Sequence, residues 1–261
     1  MKQLLIKALK EAGEIQQKNF NKVHHIEEKE SISSIVTEVD FLCDKIITDI
    51  IRQAFPLHNI LTEESGLTNN HSRYTWVIDP LDGTSNFAAG IPWFGVLIAL
   101  FENNVPILAG AYLPIPDQLF IAEAGKGAFL NNRQLLIKDI NLKNALFSFS
   151  IDYCDDNAFL EKGLDLYRLI IKNARNTRST NSLVDFMMVA EGKFGGVVNL
   201  FTKIWDIAAP WLIIREAGGE LRHLYDQELS FDLSESGLLK NYPVIAGSFS
   251  ILAELKNIQD K

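Results

Sequence analysis

Cysteine is scarce in this chain: Cys43 and Cys154 are the only two in 261 residues. So low a count excludes a disulfide-stapled secreted scaffold and fits a reducing compartment. Histidine is nearly as rare, at five. No His–Cys cluster lies near the motifs described below, which argues against a zinc site. Blocks of lysine and arginine are missing, and the formal charge is −8 with a pI near 5.2. An acidic chain without a basic stripe is not built to track a nucleic-acid polymer. No apolar run is long enough to span a bilayer. Met1-Lys2-Gln3 passes directly into an amphipathic pattern, without the apolar core and cleavage site of a signal peptide. The expectation is a cytoplasmic protein with no membrane association. Repeats, low-complexity tracts and linkers are also absent. Gly125-Lys126-Gly127 lacks the spacing and the following Ser/Thr of a nucleotide loop, so it reads as a turn.

What is present is a hydrophobic fraction of 47%, ample for a large core, and one unusual stretch. Trp76-Val77-Ile78-Asp79-Pro80-Leu81-Asp82-Gly83-Thr84-Ser85-Asn86-Phe87 begins as a buried strand. Pro80 cannot donate to a ladder, so the strand is expected to stop near Asp79. Gly83 permits a tight turn, and Thr84, Ser85 and Asn86 are helix-capping types, which predicts a helix or a single turn there. Two carboxylates then sit at a strand end beside helix-start N–H groups. Carboxylates bind hard cations and such N–H groups bind phosphate. Either Asp-Pro or Asp-Gly alone is an ordinary turn former; the run as a whole is more specific.

Around it the chain reads as follows. Residues 2–20 have helical spacing. His24 to Ser34 is polar, a hairpin or loop, and Lys29 within it reads by itself as a solvated side chain. Thr37 and Asp40 are spaced as a capping box opening a helix with Leu42, Ile46, Ile47, Ile50 and Ile51 as its apolar face. His58–Thr62 reads as a strand ending at Glu63-Glu64, and Gly66–Ser72 as a loop. Residues 93–101 and 105–113 form a hairpin, followed by strands at 118–123, 127–130 and 134–137. This run predicts an antiparallel sheet. The second half alternates: strands at 146–151, 176–178, 195–199 and 242–247, and helices at 159–171, from Asn181 or Ser182 to Glu191, at 207–217 and at 250–258. Asp206 reads as the cap of the 207–217 helix, and Ser234–Gly237 as a loop.

Asp-Pro-x-Asp-Gly-Thr-x-Asn resembles the signature of the inositol monophosphatase family. Trp205-Asp206-Ile207-Ala208, with Glu216-Ala217-Gly218-Gly219 downstream, is similar to that family's Trp-Asp-x-Ala motif and its continuation. Thr62-Glu63-Glu64-Ser65 is similar to its paired glutamates. The three occur in the family's order and cover nearly the whole chain. The resemblance implies an α/β (α+β) fold, an alternating α-β-α-β-α layered sandwich of the inositol monophosphatase and fructose-1,6-bisphosphatase type. Residues 1–261 would form one unit, with a lobe at 1–140 carrying most ligands and a lobe at 141–261 carrying Asp206.

The resemblance also implies a Mg²⁺-dependent phosphomonoesterase with two or three ions, lithium-sensitive and commonly a homodimer. Uncatalysed phosphate monoester hydrolysis is extremely slow, and two cations about 3.5–4 Å apart can generate hydroxide and hold the leaving oxygen. Residue by residue, Asp79 would bridge the ions. Glu63 and the Leu81 carbonyl would complete one site, and Asp82 and Asp206 the other. Asp40 and Thr84 would orient the attacking water, Glu64 would support, and Lys29 would help place a water. Candidate substrate contacts are Gly83, Thr84, Ser85, Asn181, Ser182 and Asn199. Asn199 stands some seven residues before Asp206, where inositol-specific relatives carry Glu, although Asn is also an ordinary strand-end residue. A small phosphorylated substrate follows, inositol 1-phosphate-like. The alternatives are a 3′,5′-bisphosphonucleotide, fructose 1,6-bisphosphate or histidinol phosphate. Outside enzymes, the alternatives are a phosphate-ligand-binding regulator and an interaction subunit.

Overall fold

The computed structural model describes the chain except residues 23, 24, 30, 226, 227, 260 and 261. The expected loop at 24–34 therefore has residues 24 and 30 outside the described residues. Its remainder is part of a hairpin of β1 (Ile26–Glu28) and β2 (Ile35–Thr37). The hairpin lies between helices α1 (Lys2–Asn19) and α2 (Glu38–Ala54). Thr37 caps α2 and the full capping box with Asp40 is present.

Among the described residues an eight-stranded sheet follows: β3 (Asn59–Thr62), β4 (Gly66–Thr68), β5 (Tyr74–Asp82), β6 (Gly95–Glu102), β7 (Val105–Leu113), β8 (Gln118–Glu123), β9 (Gly127–Leu130) and β10 (Arg133–Gln134). Helix α3 (Thr84–Ala88) separates β5 from β6. The spatial order is β10-β9-β8-β7-β6-β5-β3-β4; β3 and β5 run parallel and the other pairs antiparallel. The second half supplies β11 (Leu146–Ser150), α4 (Asn157–Asn173), β12 (Asn176–Arg178), α5 (Leu183–Ala190), β13 (Gly196–Asn199), α6 (Ile204–Glu216), β14 (Glu220–His223), α7 (Glu235–Leu238), β15 (Val244–Gly247) and α8 (Phe249–Gln259). Its five-stranded sheet has the order β12-β11-β13-β15-β14.

Strand alternation builds the layers, because successive side chains point to opposite faces. Trp76 and Ile78 face α1 and α2 in one apolar cluster with Leu5, Leu9, Val39 and Ile47. Val77, between them, faces the other way. It joins α5, α6 and the near face of the small sheet, represented by Phe186, Ile213, Val197 and Ala246. Val198 and Phe149, on the small sheet's far face, pack with Leu166 of α4 and Leu255 of α8. The result is the α-β-α-β-α sandwich that the sequence led us to expect. We propose the lobe boundary near residue 140. Each sheet falls on one side of it, while the α5–α6 layer packs against both sheets and makes the chain one unit.

Local readings need correction in several places. Leu42 is 49% exposed; Cys43, not Leu42, completes the buried face of α2. The expected loop after Glu64 is partly β4, paired with β3 from Ile60↔Thr68 to Thr62↔Gly66. The strand expected at 134–137 is only Arg133–Gln134, because the Ile137 N–H turns away to the Ala217 carbonyl. Ser234–Gly237 includes the first residues of a helical turn, α7. The Glu220–His223 strand, which the sequence reading omits, lies at a sheet edge behind Gly218-Gly219. Most informative is β5, which runs past Pro80 to Asp82.

Candidate metal centre and active site

The continuation of β5 has a specific cause. Asp79 pairs with Leu97 and Asp82 with Gly95, so Pro80 and Leu81 together oppose Val96 alone. This is a β-bulge. Pro80 falls inside it, where a missing N–H costs no ladder bond. The bulge re-aims the chain so that Asp79 and Asp82 face one cavity. The Leu81 N–H donates to Asp79 Oδ1 at 3.1 Å. Gly83 follows with φ 85°; a Cβ there would lie 2.5 Å from the Trp93 carbonyl oxygen, so the turn into α3 requires glycine. The Thr-Ser-Asn cluster does start a helix, but Gly83 holds the cap position without a side-chain bond.

Asp206 reaches the same point from the second half of the chain. It is the third residue of α6, not its cap, because the helix begins at Ile204. Its Oδ2 accepts the Lys203 N–H at 2.7 Å, a local bond that fixes the side chain's direction. Ligand oxygens of Asp79, Asp82 and Asp206 all lie within 4.8 Å of one another. Asp82 Oδ1 also accepts the Leu183 N–H, at 2.6 Å, which ties the start of α5 to the bulge.

Glu63 and Glu64 line the cavity with them. Lys29 Nζ stands 2.8 Å from Glu63 Oε1 and 2.6 Å from Glu64 Oε1, so Lys29 is not a solvated side chain here but the counter-ion of that pair. Asp40 divides its two oxygens. Oδ2 accepts the Thr37 N–H at 2.9 Å and the Thr37 hydroxyl at 2.6 Å, closing the capping box. Oδ1 lies 2.9 Å from Thr84 Oγ1. Thr84 Oγ1 is also 2.9 Å from the Leu81 carbonyl oxygen, and its single proton can serve one of these acceptors at a time.

The cavity has a volume of about 780 Å³. It is lined by every candidate named from the sequence except Asp40, which stands behind Thr84. Ser182, rather than Asn181, caps α5. Asn181 adopts φ 51° and donates from Nδ2 to Asp152 Oδ1 at 2.7 Å. Asn199 ends β13 with its Oδ1 accepting the Phe201 N–H at 3.1 Å, so the strand-end role is real while the residue still lines the cavity.

The sequence reading missed Asp185. It is buried in α5, and its Oδ2 accepts the Thr180 and Asn181 N–H groups, each at 3.1 Å, which pins the 180–182 turn at the cavity wall. A lone acid in the apolar run Leu183–Ala190 was the available signal. Lys203 and Asp152 on the rim left no comparable signal.

Electrostatics say what the cluster needs. Burial, then the charges of Glu63, Asp82 and Asp206, push the Asp79 carboxyl well above the usual range. Burial, Asp82 and Glu63 do the same to Asp206. Burial carries Asp82 up to about 7 against the opposing Leu183 N–H bond. Burial and Glu63 carry Glu64 to about 7, with Lys29 opposing. For Lys29, burial works against the charge, but the two glutamates outweigh it and its pKa is raised. Carboxylates gathered this tightly repel one another unless a cation lies between them. The donors are all oxygens, which suits Mg²⁺ or another hard divalent ion.

The profile of the inositol monophosphatase family matches residues 1–257. This chain belongs to that family. It is 36% identical over 221 residues to the Nus factor SuhB of Xylella fastidiosa, covering 83% of this chain and 79% of the relative. It is 36% identical over 213 residues to a fructose-1,6-bisphosphatase/inositol-1-monophosphatase of Aquifex aeolicus, covering 79% of each. Among solved structures, the extragenic suppressor protein suhB of Bartonella henselae superposes with a TM-score of 0.88 at 28% identity, over 99% of this chain and 98% of that one. Family membership and fold agree with the motifs that first suggested them.

Proposed function

We propose that this chain is a divalent-cation-dependent phosphomonoesterase acting on a small phosphate ester, with Mg²⁺ as its ion. The observation that carries the reading is the convergence of Asp79, Asp82 and Asp206 within 4.8 Å, from two lobes, on one cavity. Asp79, Asp82, Asp206, Glu63 and the Leu81 carbonyl would hold two or three ions, with Asp79 between them. When bound, the ions supply a low-pKa water and charge neutralisation at the phosphate. Thr84 gives its hydroxyl proton to Asp40 Oδ1 and so keeps a lone pair for the attacking water, which orients it. Lys29 holds Glu63 and Glu64 in place. N–H groups of Gly83, Thr84 and Ser85 would contact phosphate oxygens, and Asn181, Ser182 and Asn199 the leaving group. Lithium sensitivity, a homodimer and a cytoplasmic location belong to the same proposal; no described helix is long and apolar enough to cross a membrane.

Inositol 1-phosphate is one candidate ester, and bulkier bisphosphates fit an uncharged Asn199 as well. The name Nus factor belongs to the Xylella relative; here the complete carboxylate set favours catalysis over a purely interacting subunit. The test is phosphate release from inositol 1-phosphate, a 3′,5′-bisphosphonucleotide, fructose 1,6-bisphosphate and histidinol phosphate, with Mg²⁺ and with excess chelator. Release that requires Mg²⁺ is expected. Full activity in chelator, or none on any small ester, would overturn the reading.

A further inference from the structure

Gln16 is fully buried on the inner face of α1, 64 residues before the bulge in sequence. Its Nε2 donates to the Pro80 carbonyl at 2.9 Å and to the Gly95 carbonyl at 3.1 Å. These two carbonyls belong to the two strands of the bulge: Pro80 is one of its extra residues, and Gly95 is the partner of Asp82. A single amide thus spans both strands where the register shifts. Sheet hydrogen bonds cannot do this, because a bulge interrupts the ladder locally and Pro80 has no N–H to offer.

The other half of the amide points to a role beyond packing. Gln16 Oε1 has no hydrogen-bond partner among the described residues and is buried. The inner face of α1 on which it lies packs into the apolar cluster that includes Ala12, Leu81, Phe94 and Val96. An orphaned acceptor in such a place is a net cost to folding. An apolar side chain of similar length would avoid that cost but would forfeit both bonds to the Pro80 and Gly95 carbonyls, so burial alone does not account for the amide. Its two donors do account for it. They bind the carbonyl of Pro80, next to Leu81, and that of Gly95, the partner of Asp82, and Leu81 lies between the carboxylates Asp79 and Asp82.

We infer that Gln16 is a positioning residue for the carboxylate site. Its amide locks the Pro80–Leu81 bulge, so that Asp79, the Leu81 carbonyl and Asp82 keep one spacing towards a shared cation. Gln16 touches neither ion nor substrate; it acts through the backbone it holds. The inference rests on the proposed cation-dependent function and concerns how tightly the ion is held.

The test compares wild type with Gln16→Met, which keeps the length of the side chain and removes both the donors and the orphaned acceptor. Mg²⁺ binding is measured by calorimetry, melting temperature in chelator, and phosphate release as a function of Mg²⁺. The expected result is a Mg²⁺ dissociation constant raised about five- to tenfold, the size of one neutral hydrogen bond, with a cooperative metal-free melting transition retained. Saturating Mg²⁺ should restore most of kcat. Wild-type Mg²⁺ affinity in the variant would overturn the inference, as would a lowered melting temperature with unchanged affinity, which would assign Gln16 to packing alone. Gln16→Leu gives the same readout if the methionine variant is not recovered folded, and failure of both to fold would also overturn it. Wild type that binds no Mg²⁺ would overturn the functional reading, and this inference with it.

Discussion

Asp79 receives the influence of Glu63, Asp82 and Asp206 and, on the proposed reading, would contribute charge to an ion among them. Asp79→Asn should therefore lower phosphate release by at least about a hundredfold, the scale of removing one electrostatic catalytic group, with circular dichroism unchanged. Thr84 stands one step further out, between Asp40 and the Leu81 carbonyl. Thr84→Ala should cut kcat by about 10²–10⁴, as for loss of general base assistance, while the Mg²⁺ concentration at half activity stays near wild type. An unchanged kcat would leave Asp40 with its capping role alone. Asn199 tests substrate choice. A charged hydrogen bond to a substrate hydroxyl is worth about 1.5–3 kcal/mol, or roughly one to two decades in kcat/KM. Asn199→Glu should accordingly raise kcat/KM on inositol 1-phosphate and lower it on bisphosphates. Wild type with a strong preference for inositol 1-phosphate and no gain in the variant would remove Asn199 as the selector.

Elements matter here mainly at their ends. The β5 bulge, the first turn of α6 and the first turn of α5 place Asp79, Asp82 and Asp206 together, each through backbone N–H groups bonded to a carboxylate. At the opposite end of β5, His58 makes a different junction. Its ring stacks 4.7 Å from Phe55 and 4.8 Å from Tyr74, and its Nδ1 accepts the Trp76 indole N–H at 3.1 Å. Burial lowers its pKa from 6.5. A histidine whose folded pKa lies below its unfolded value favours the neutral form in the fold. Its stabilising contribution is complete above about pH 6.5 and is lost as pH falls through the lower, folded value. Melting temperatures between pH 7.5 and pH 5 should therefore fall more steeply for wild type than for His58→Gln. The raised carboxylates shift stability in the opposite sense, but they are common to both proteins, so the difference isolates His58. Parallel curves would refute it.

On the scale of the whole molecule, the carboxylate cluster stands between two sheets that share the α5–α6 layer. On the proposed reading, an ion there would join ligands from both halves of the chain and relieve repulsion that folding imposes. Ligand linkage then predicts about 2.7 kcal/mol of added stability at a hundred times the dissociation constant, or a rise of roughly 5–10 °C in melting temperature for a chain of this size. Thermal scans in chelator and with Mg²⁺ measure it directly, without any substrate. A melting temperature indifferent to Mg²⁺, Mn²⁺ and Ca²⁺ would show that the cluster holds no divalent ion.

Much of this protein was determined locally. Hairpins, a helix start at Thr37 and another at Asn181 or Ser182, and the Asp79–Thr84 and Trp205–Asp206 motifs are legible because caps, turns and strand alternation depend on neighbours within a few residues. The family resemblance rests on those motifs, and the layer order and the full carboxylate set are what that resemblance implies. The passage of β5 through Pro80 was not legible, because a bulge is a property of two paired strands, and the partner that accommodates it, Val96, is remote in sequence. Leu42 and Ile47 carry the same apolar signal, yet only Ile47 meets the sheet. Lys29 reads as solvated until Glu63 and Glu64 are seen beside it, and Gln16 and Asp185 are ordinary polar residues until the backbone each one holds comes into view. Local propensity decided most of the elements. Only tertiary packing decided which carboxylates come together and what keeps them there, since distances between charges separated by over a hundred residues are set by the sheets and helices between them.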